Sequence, residues 1–228
     1  MKPWQVKQWV IPEANADYVW AMEQVLDVYE REYNELNPVI AIDESPQQLV
    51  GEVRTGFTDS KGIHYTDYEY KREGVCDLYM VCEPLLGKRS IYVEDNHNRL
   101  TWAKVITIVA EQSYPDAEQI TIICDNLTAH KPSALYEVME PERARAILRR
   151  IEFVNTPKHG SWLNVAENEL SVLKRVGIAK RVSSQSALKK QIEAYQKRRN
   201  KKEIKVDWQF TTKDARVKLR RLYPPINP

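Results

Sequence analysis

Three carboxylates in this chain could do chemistry together. Asp43 ends the short apolar run Val39-Ile40-Ala41-Ile42, and Asp125 ends Ile120-Thr121-Ile122-Ile123-Cys124. Both runs are rich in β-branched residues and read as buried strands that deliver an aspartate at or near their carboxyl ends. Open α/β sheets take ligands outside the carboxyl ends of their strands, so the two aspartates are expected to meet there. A third carboxylate comes from the stretch 161–175, where Leu163, Ala166, Leu170 and Leu173 recur at helical spacing. Glu167 and Glu169 flank that apolar stripe at similar angles, and periodicity does not choose between them. A lone helical glutamate is ordinarily solvated. Three carboxylates gathered in one place repel one another, and a cluster of that kind normally holds a metal.

The surrounding elements must bring these residues together. Asp17 can cap a helix running to about Leu36, which Asn37-Pro38 ends. The polar stretch 47–73 reads as an extended excursion or hairpin. Val75 to Glu83 and Lys88 to Val93 form a strand pair turned at Pro84-Leu85-Leu86-Gly87. A helix from Leu100 to Ser113 then crosses over to the Asp125 strand, as parallel pairing requires. His130, five residues past Asp125, is a candidate for a phosphate or a metal-bound water, against the plainer reading of a histidine bonded to backbone. Pro132 can open the next helix and Pro141 a further one, before a last short strand, Ile151 to Val154. Ser161 stands where the N-cap of the glutamate helix belongs. Lys158, His159 and Ser161 sit at that helix mouth, a plausible phosphate corner. Two helices, from Ser184 to Arg199 and from Asp214 to Leu222, close the chain.

Composition narrows the function. The 228 residues carry a net charge of only +2, but residues 171–228 hold 17 Lys+Arg against 4 Asp+Glu, leaving 17 against 28 in the rest. An acidic body with a basic C-terminal quarter suits a metal-carboxylate centre beside a polyanion track. Cys76, Cys82 and Cys124 form neither a metal-ligand spacing nor a disulfide set, which points to a reducing cytoplasm. No run is long enough to span a membrane, and no Gly-rich Gly-Lys-Ser/Thr loop supports an ATPase or kinase.

Three segments carry a family resemblance: Ile42-Asp43-Glu44-Ser45-Pro46, Asp125-Asn126-Leu127-Thr128-Ala129-His130, and Thr156 through Arg175, with Asn164, Glu167 and Leu173-Lys174 in the pattern of Asn, Glu three later, then Leu-Lys. From roughly Trp4 to Pro224 the chain resembles the catalytic half of a DDE transposase, of the bacterial insertion-sequence branch of the Tc/mariner superfamily. The resemblance implies a ribonuclease H-like α/β fold, a mixed central sheet flanked by helices, at 38–182. A linker and helix (1–37) precede it and a basic helical extension (183–228) follows. It selects Glu167 over Glu169, making Asp43, Asp125 and Glu167 the catalytic and metal-binding set. Oxygen-only ligation favours Mg²⁺, or Mn²⁺, and two such ions can clamp the attacking and leaving oxygens of an in-line displacement. Glu169 is then the bystander, whose replacement by Gln should leave the wild-type behaviour. His130, Lys158, His159, Lys174 and Arg175 are the candidate DNA contacts. The implied partners are double-stranded transposon ends and target, a second copy of the chain on DNA, and a separate upstream DNA-binding half. The implied place is the bacterial nucleoid. The rival readings are an inactive DNA-binding remnant and a ribonuclease H-like nuclease that does not join strands.

Overall fold

The computed structural model describes residues 15–179 and 181–226. The expected linker from Lys2 to Pro12, with Trp4 and Trp9, lies outside the described residues. Five strands form one sheet in the order β5-β4-β1-β6-β7. These are β1 (Val39–Glu52), β4 (Tyr70–Glu83), β5 (Lys88–Glu94), β6 (Ile120–Cys124) and β7 (Ile151–Asn155). β1, β4 and β5 form an antiparallel meander, while β6 and β7 run parallel to β1. The excursion between β1 and β4 is a hairpin arm, tipped by the two-residue strands β2 (Phe57–Thr58) and β3 (His64–Tyr65).

Helices cover both faces. α2 (Arg99–Ile108) and α3 (Pro141–Arg149) lie on one side, where Ile40, Ile42, Ile120, Ile122 and Trp102 are buried together. On the other side lie α1 (Ala16–Tyr29), α4 (Val165–Val176), α5 (Gln185–Lys201) and α6 (Thr212–Lys218). Met22, Leu26, Ala41, Ile123, Leu170, Leu188, Tyr195 and Ala215 share that second core. The segments 1–37 and 183–228 therefore contribute, through α1, α5 and α6, to the same core as the central body. Trp208 reaches back to Tyr29 of α1 with ring centroids 4.7 Å apart.

Several boundaries differ from the sequence reading. Asn15, not Asp17, caps α1, which stops at Tyr29. α2 begins after the cap Asn98 and passes into a wider π turn at Val109–Ser113. The stretch after Pro132 is a 3-10 turn rather than an α-helix. β1 runs on to Glu52, and Pro46, which has no N–H to donate, falls beyond the last residue of β1 paired with β6. α5 closes the exposed edge of β5: Gln196 and Asn200 side chains accept the N–H groups of Ile91 and Arg89, both at 2.9 Å. Gly87 has φ +76°, and a Cβ there would meet the backbone of Glu203 and Ile204 below 3 Å, so this turn requires glycine. Among the described residues no helix is long and apolar enough to cross a membrane.

Candidate active site

Register brings the two aspartates together. β1 and β6 pair with Val39 opposite Thr121 and Ala41 opposite Ile123. The same offset, continued two residues past the last pair, sets Asp43 beside Asp125. Beyond Ala41, β1 stays paired only with β4, so both carboxylates stand at an open mouth. Alternation decides the face. Ala41 and Ile123 belong to the core beneath α4, so Asp43 and Asp125 point to that side as well. Glu44, one residue out of phase, points to the opposite face.

α4 supplies the third carboxylate, and its cap is not Ser161. Ser161–Leu163 is a 3-10 turn, and Asn164 caps the helix by accepting the Ala166 N–H at 3.1 Å. The Asn164 amide also donates to the Ile42 carbonyl at 3.0 Å, one residue before Asp43. A single buried side chain thus ties the helix of Glu167 to the strand of Asp43. Tyr29 adds a second tie, donating to Leu163 O at 2.8 Å and accepting the Val165 N–H at 3.3 Å. The sequence pattern placed an Asn three residues before Glu167, but its reach to β1 depends on a partner 122 residues away.

Asp43, Asp125 and Glu167 line one cleft of about 380 Å³, together with Thr156, Asn164 and Lys174. Burial, then the charges of Glu44, Asp125 and Glu167, push the Asp43 carboxyl up to about 7, against one lowering hydrogen bond from the Glu44 N–H. A carboxylate that keeps a proton near neutrality marks a cleft short of positive charge. Its oxygen donors suit a hard divalent cation. Among the described residues, no three His, Cys, Asp or Glu side chains are gathered closely enough to form a finished metal cage. The three carboxylates share a cleft without closing on one point. Lys174 does not neutralise them: its Nζ donates to Ser45 Oγ and, at 3.0 Å, to Pro46 O, and burial lowers its pKa.

The other expected site residues fall in three places. His130 is buried, with its side chain 2% exposed, so it cannot touch a duplex, and it is not held by backbone. Its ring lies between two carboxylates, Nδ1 against Asp125 Oδ1 and Nε2 3.1 Å from Glu44 Oε2. The ring N–H directions are off-line for both, so this is an ion-pair bridge more than two ideal hydrogen bonds. Burial alone would lower the His130 pKa; Asp125 and Glu44 outweigh it and push it up to about 9. Lys158 and His159 line a second, larger cleft against α1, about 600 Å³, which meets the first at Thr156. Arg175 is exposed on the last turn of α4.

Glu169 is no solvated bystander. It is 7% exposed, and Arg89 grips it through Nε at 2.7 Å and Nη2 at 2.8 Å. Arg199 of α5 adds contacts at 3.1 and 3.2 Å. Burial raises its pKa, but the two guanidinium groups prevail and hold it below the usual carboxylate range. Arg89 also donates to the Gly87 and Ile204 carbonyls, so this carboxylate joins α4, β5 and α5.

Fold and cleft together define a ribonuclease H-like α/β domain with an acidic centre at the carboxyl end of its parallel strands. The family model for DDE superfamily endonucleases matches residues 38–189, more than half of the chain. The chain belongs to that family of polynucleotidyl transferases and endonucleases. No curated protein matches it in sequence. Among solved structures it is similar to the Mos1 mariner paired-end complex with Mn, at 14% identity and TM-score 0.57, covering 87% of this chain and 61% of that one. It is also similar to the Mos1 strand transfer complex, at 13% identity and TM-score 0.56, with coverages of 87% and 61%. A third, the mariner Mos1 paired-end complex with Mg, has 12% identity and TM-score 0.55, covering 96% and 67%. The chain thus spans roughly three-fifths to two-thirds of the length of these relatives.

Proposed function

We propose that this chain is the catalytic part of a bacterial insertion-sequence transposase, cutting DNA and joining the strand ends in a divalent-metal-dependent reaction. The observation that carries the reading is the convergence of Asp43, Asp125 and Glu167, from β1, β6 and α4, on one cleft where burial, and then neighbouring carboxylate charge, raise the proton affinity of Asp43. Asp43, Asp125 and Glu167 would hold Mg²⁺ or Mn²⁺. When bound, two such cations would activate a water or a DNA 3′-hydroxyl and stabilise the departing oxygen. The chain's own residues do the rest. Asn164 and Tyr29 fix α4 so that Glu167 faces the aspartates. Lys174, at the cleft wall, and the adjoining groove with Lys158 and His159 offer positive charge to phosphates on either side of the scissile bond. The exposed Lys and Arg residues of α5 and α6 extend that charge along a duplex. No protein nucleophile is required.

Likeness of fold to transposases solved as paired-end and strand transfer complexes supports transposon-end DNA as the substrate. Two copies of the chain on DNA would form the working unit. An upstream DNA-binding half would supply recognition of the ends, in the bacterial cytoplasm. Nicking of a labelled, repeat-ended duplex tests the reading. Mg²⁺- or Mn²⁺-dependent cleavage that vanishes with EDTA and in Asp125→Asn is expected. Folded protein that binds DNA in a salt-sensitive way yet never cuts, even with the upstream half supplied in trans, would favour an inactive remnant. Cutting without joining would leave a nuclease.

A further inference from the structure

His130 lies beneath the carboxylate cleft, on the face of the sheet opposite α4. Its ring stacks on Trp102 of α2, with centroids 5.6 Å apart and planes 18° from parallel. Nδ1 touches Asp125 Oδ1, and Nε2 stands 3.1 Å from Glu44 Oε2. The Glu44 side chain is itself only 9% exposed. With Trp102 against its face and a carboxylate at each nitrogen, the imidazole has little freedom to turn. The Leu127 N–H donates, at 3.4 Å, to the same Asp125 oxygen that His130 touches. No hydrogen bond to Asp125 Oδ2 is formed among the described residues. Asp125 follows the last residue of β6 and has no ladder partner to fix it. One of its oxygens is therefore held from below, and the other is left for the cleft.

We propose that His130 is a positioning residue, backed by Glu44, which sets the rotamer of Asp125 and so the oxygen that Asp125 offers to a divalent cation. The inference rests on the reading of Asp125 as a cation ligand. Glu44 borders the same cleft, but alternation along β1 turns its side chain to the other face, where its Oε2 meets His130. Partners behind metal ligands typically govern metal affinity by about 10–100-fold.

The test is Mn²⁺ binding to the full chain, followed by electron paramagnetic resonance of the free ion, with thermal unfolding as the check on folding. Asp125→Asn is expected to lose binding. His130→Gln should weaken it about tenfold or more, and Glu44→Gln less. The double variant should bind no worse than His130→Gln alone, since Glu44 acts through the ring. Nicking by His130→Gln should recover most of its rate at saturating Mn²⁺, an effect on affinity more than on turnover. Wild-type Mn²⁺ affinity in His130→Gln, or additive losses in the double variant, would overturn the proposal. If His130→Gln does not fold, wild-type affinity in Glu44→Gln would overturn it equally. Wild-type affinity in Asp125→Asn would instead remove the metal-site reading, and this inference with it.

Discussion

Glu167 and Glu169 stand two residues apart on α4, and their surroundings are opposite. At about 100° per residue, two residues turn a helix by roughly 200°, which sends them to opposite flanks of the buried stripe. Glu167 faces Asp43 and Asp125 across a cleft where negative charge is in excess. Glu169 faces Arg89 and Arg199 in a buried pocket where positive charge is in excess. The first arrangement costs stability and suits a cation from outside. The second completes itself and anchors the basic C-terminal helices to the body. A carboxylate's role here follows from the sign of what it meets, not from its residue type or its helix.

The largest expected effect lies on the cleft side. Asp43→Asn, Asp125→Asn and Glu167→Gln should each lower metal-dependent nicking by about 10³-fold or more, the rate equivalent of the several kcal/mol a bound cation contributes. Their circular dichroism should remain close to wild type, and none should melt below it in the absence of metal. Nearly normal cleavage in any of them would remove that residue from the site.

Glu169→Gln should do the reverse, leaving nicking intact at low temperature while costing stability. Breaking a buried ion pair by removing one partner costs about 3–5 kcal/mol. Its pH dependence gives a second reading. The folded pKa of Glu169 lies below its ordinary 4.5, so its contribution is present above the unfolded pKa and is lost as pH falls through the folded one. Denaturant titrations across acidic pH should show that loss in wild type and not in Glu169→Gln.

Asn164→Ala, which cuts the tie between the two carboxylate-bearing elements, should cost about 1–2 kcal/mol as a lost cap and also slow nicking. A stability loss with wild-type turnover would show that the cap matters and the tie to Ile42 does not.

The smallest effect concerns the metal-free protein. Asp43 has a folded pKa of about 7 against the ordinary 3.8, so the fold binds this proton more tightly than the unfolded chain. Stability from this source is full below about pH 4 and is lost as pH rises towards 7. Without metal, Asp43→Asn should therefore be more stable than wild type at neutral pH, by on the order of 1 kcal/mol, with the gap closing when Mg²⁺ is added. Equal stabilities with and without Mg²⁺ would show that Asp43 carries no such load.

The strands that carry the aspartates were legible because β-branched runs ending in Asp are a local signal. Their alignment was legible only in outline, since the offset that sets Asp43 beside Asp125 belongs to the β1–β6 ladder and not to either strand. The choice of Glu167 required a pattern spanning the Asn, Glu and Leu-Lys positions; helical periodicity alone left both glutamates open. The burial of Glu169 was not legible, because its partners lie 80 residues upstream and 30 downstream. His130 was misread for the same reason. Its neighbour in sequence is Asp125, but the residue that completes its surroundings, Glu44, arrives on another strand from the far face of the sheet. Helix caps erred by a few residues, as Asn15 and Asn164 took the places expected for Asp17 and Ser161.

The most direct measurement is nicking of a repeat-ended duplex in Mg²⁺ by Glu167→Gln and Glu169→Gln side by side, well below both melting temperatures. Loss of cleavage in Glu167→Gln with wild-type cleavage in Glu169→Gln is the predicted result. Cleavage by Glu167→Gln at the wild-type rate would contradict the assignment of this cleft as the catalytic centre.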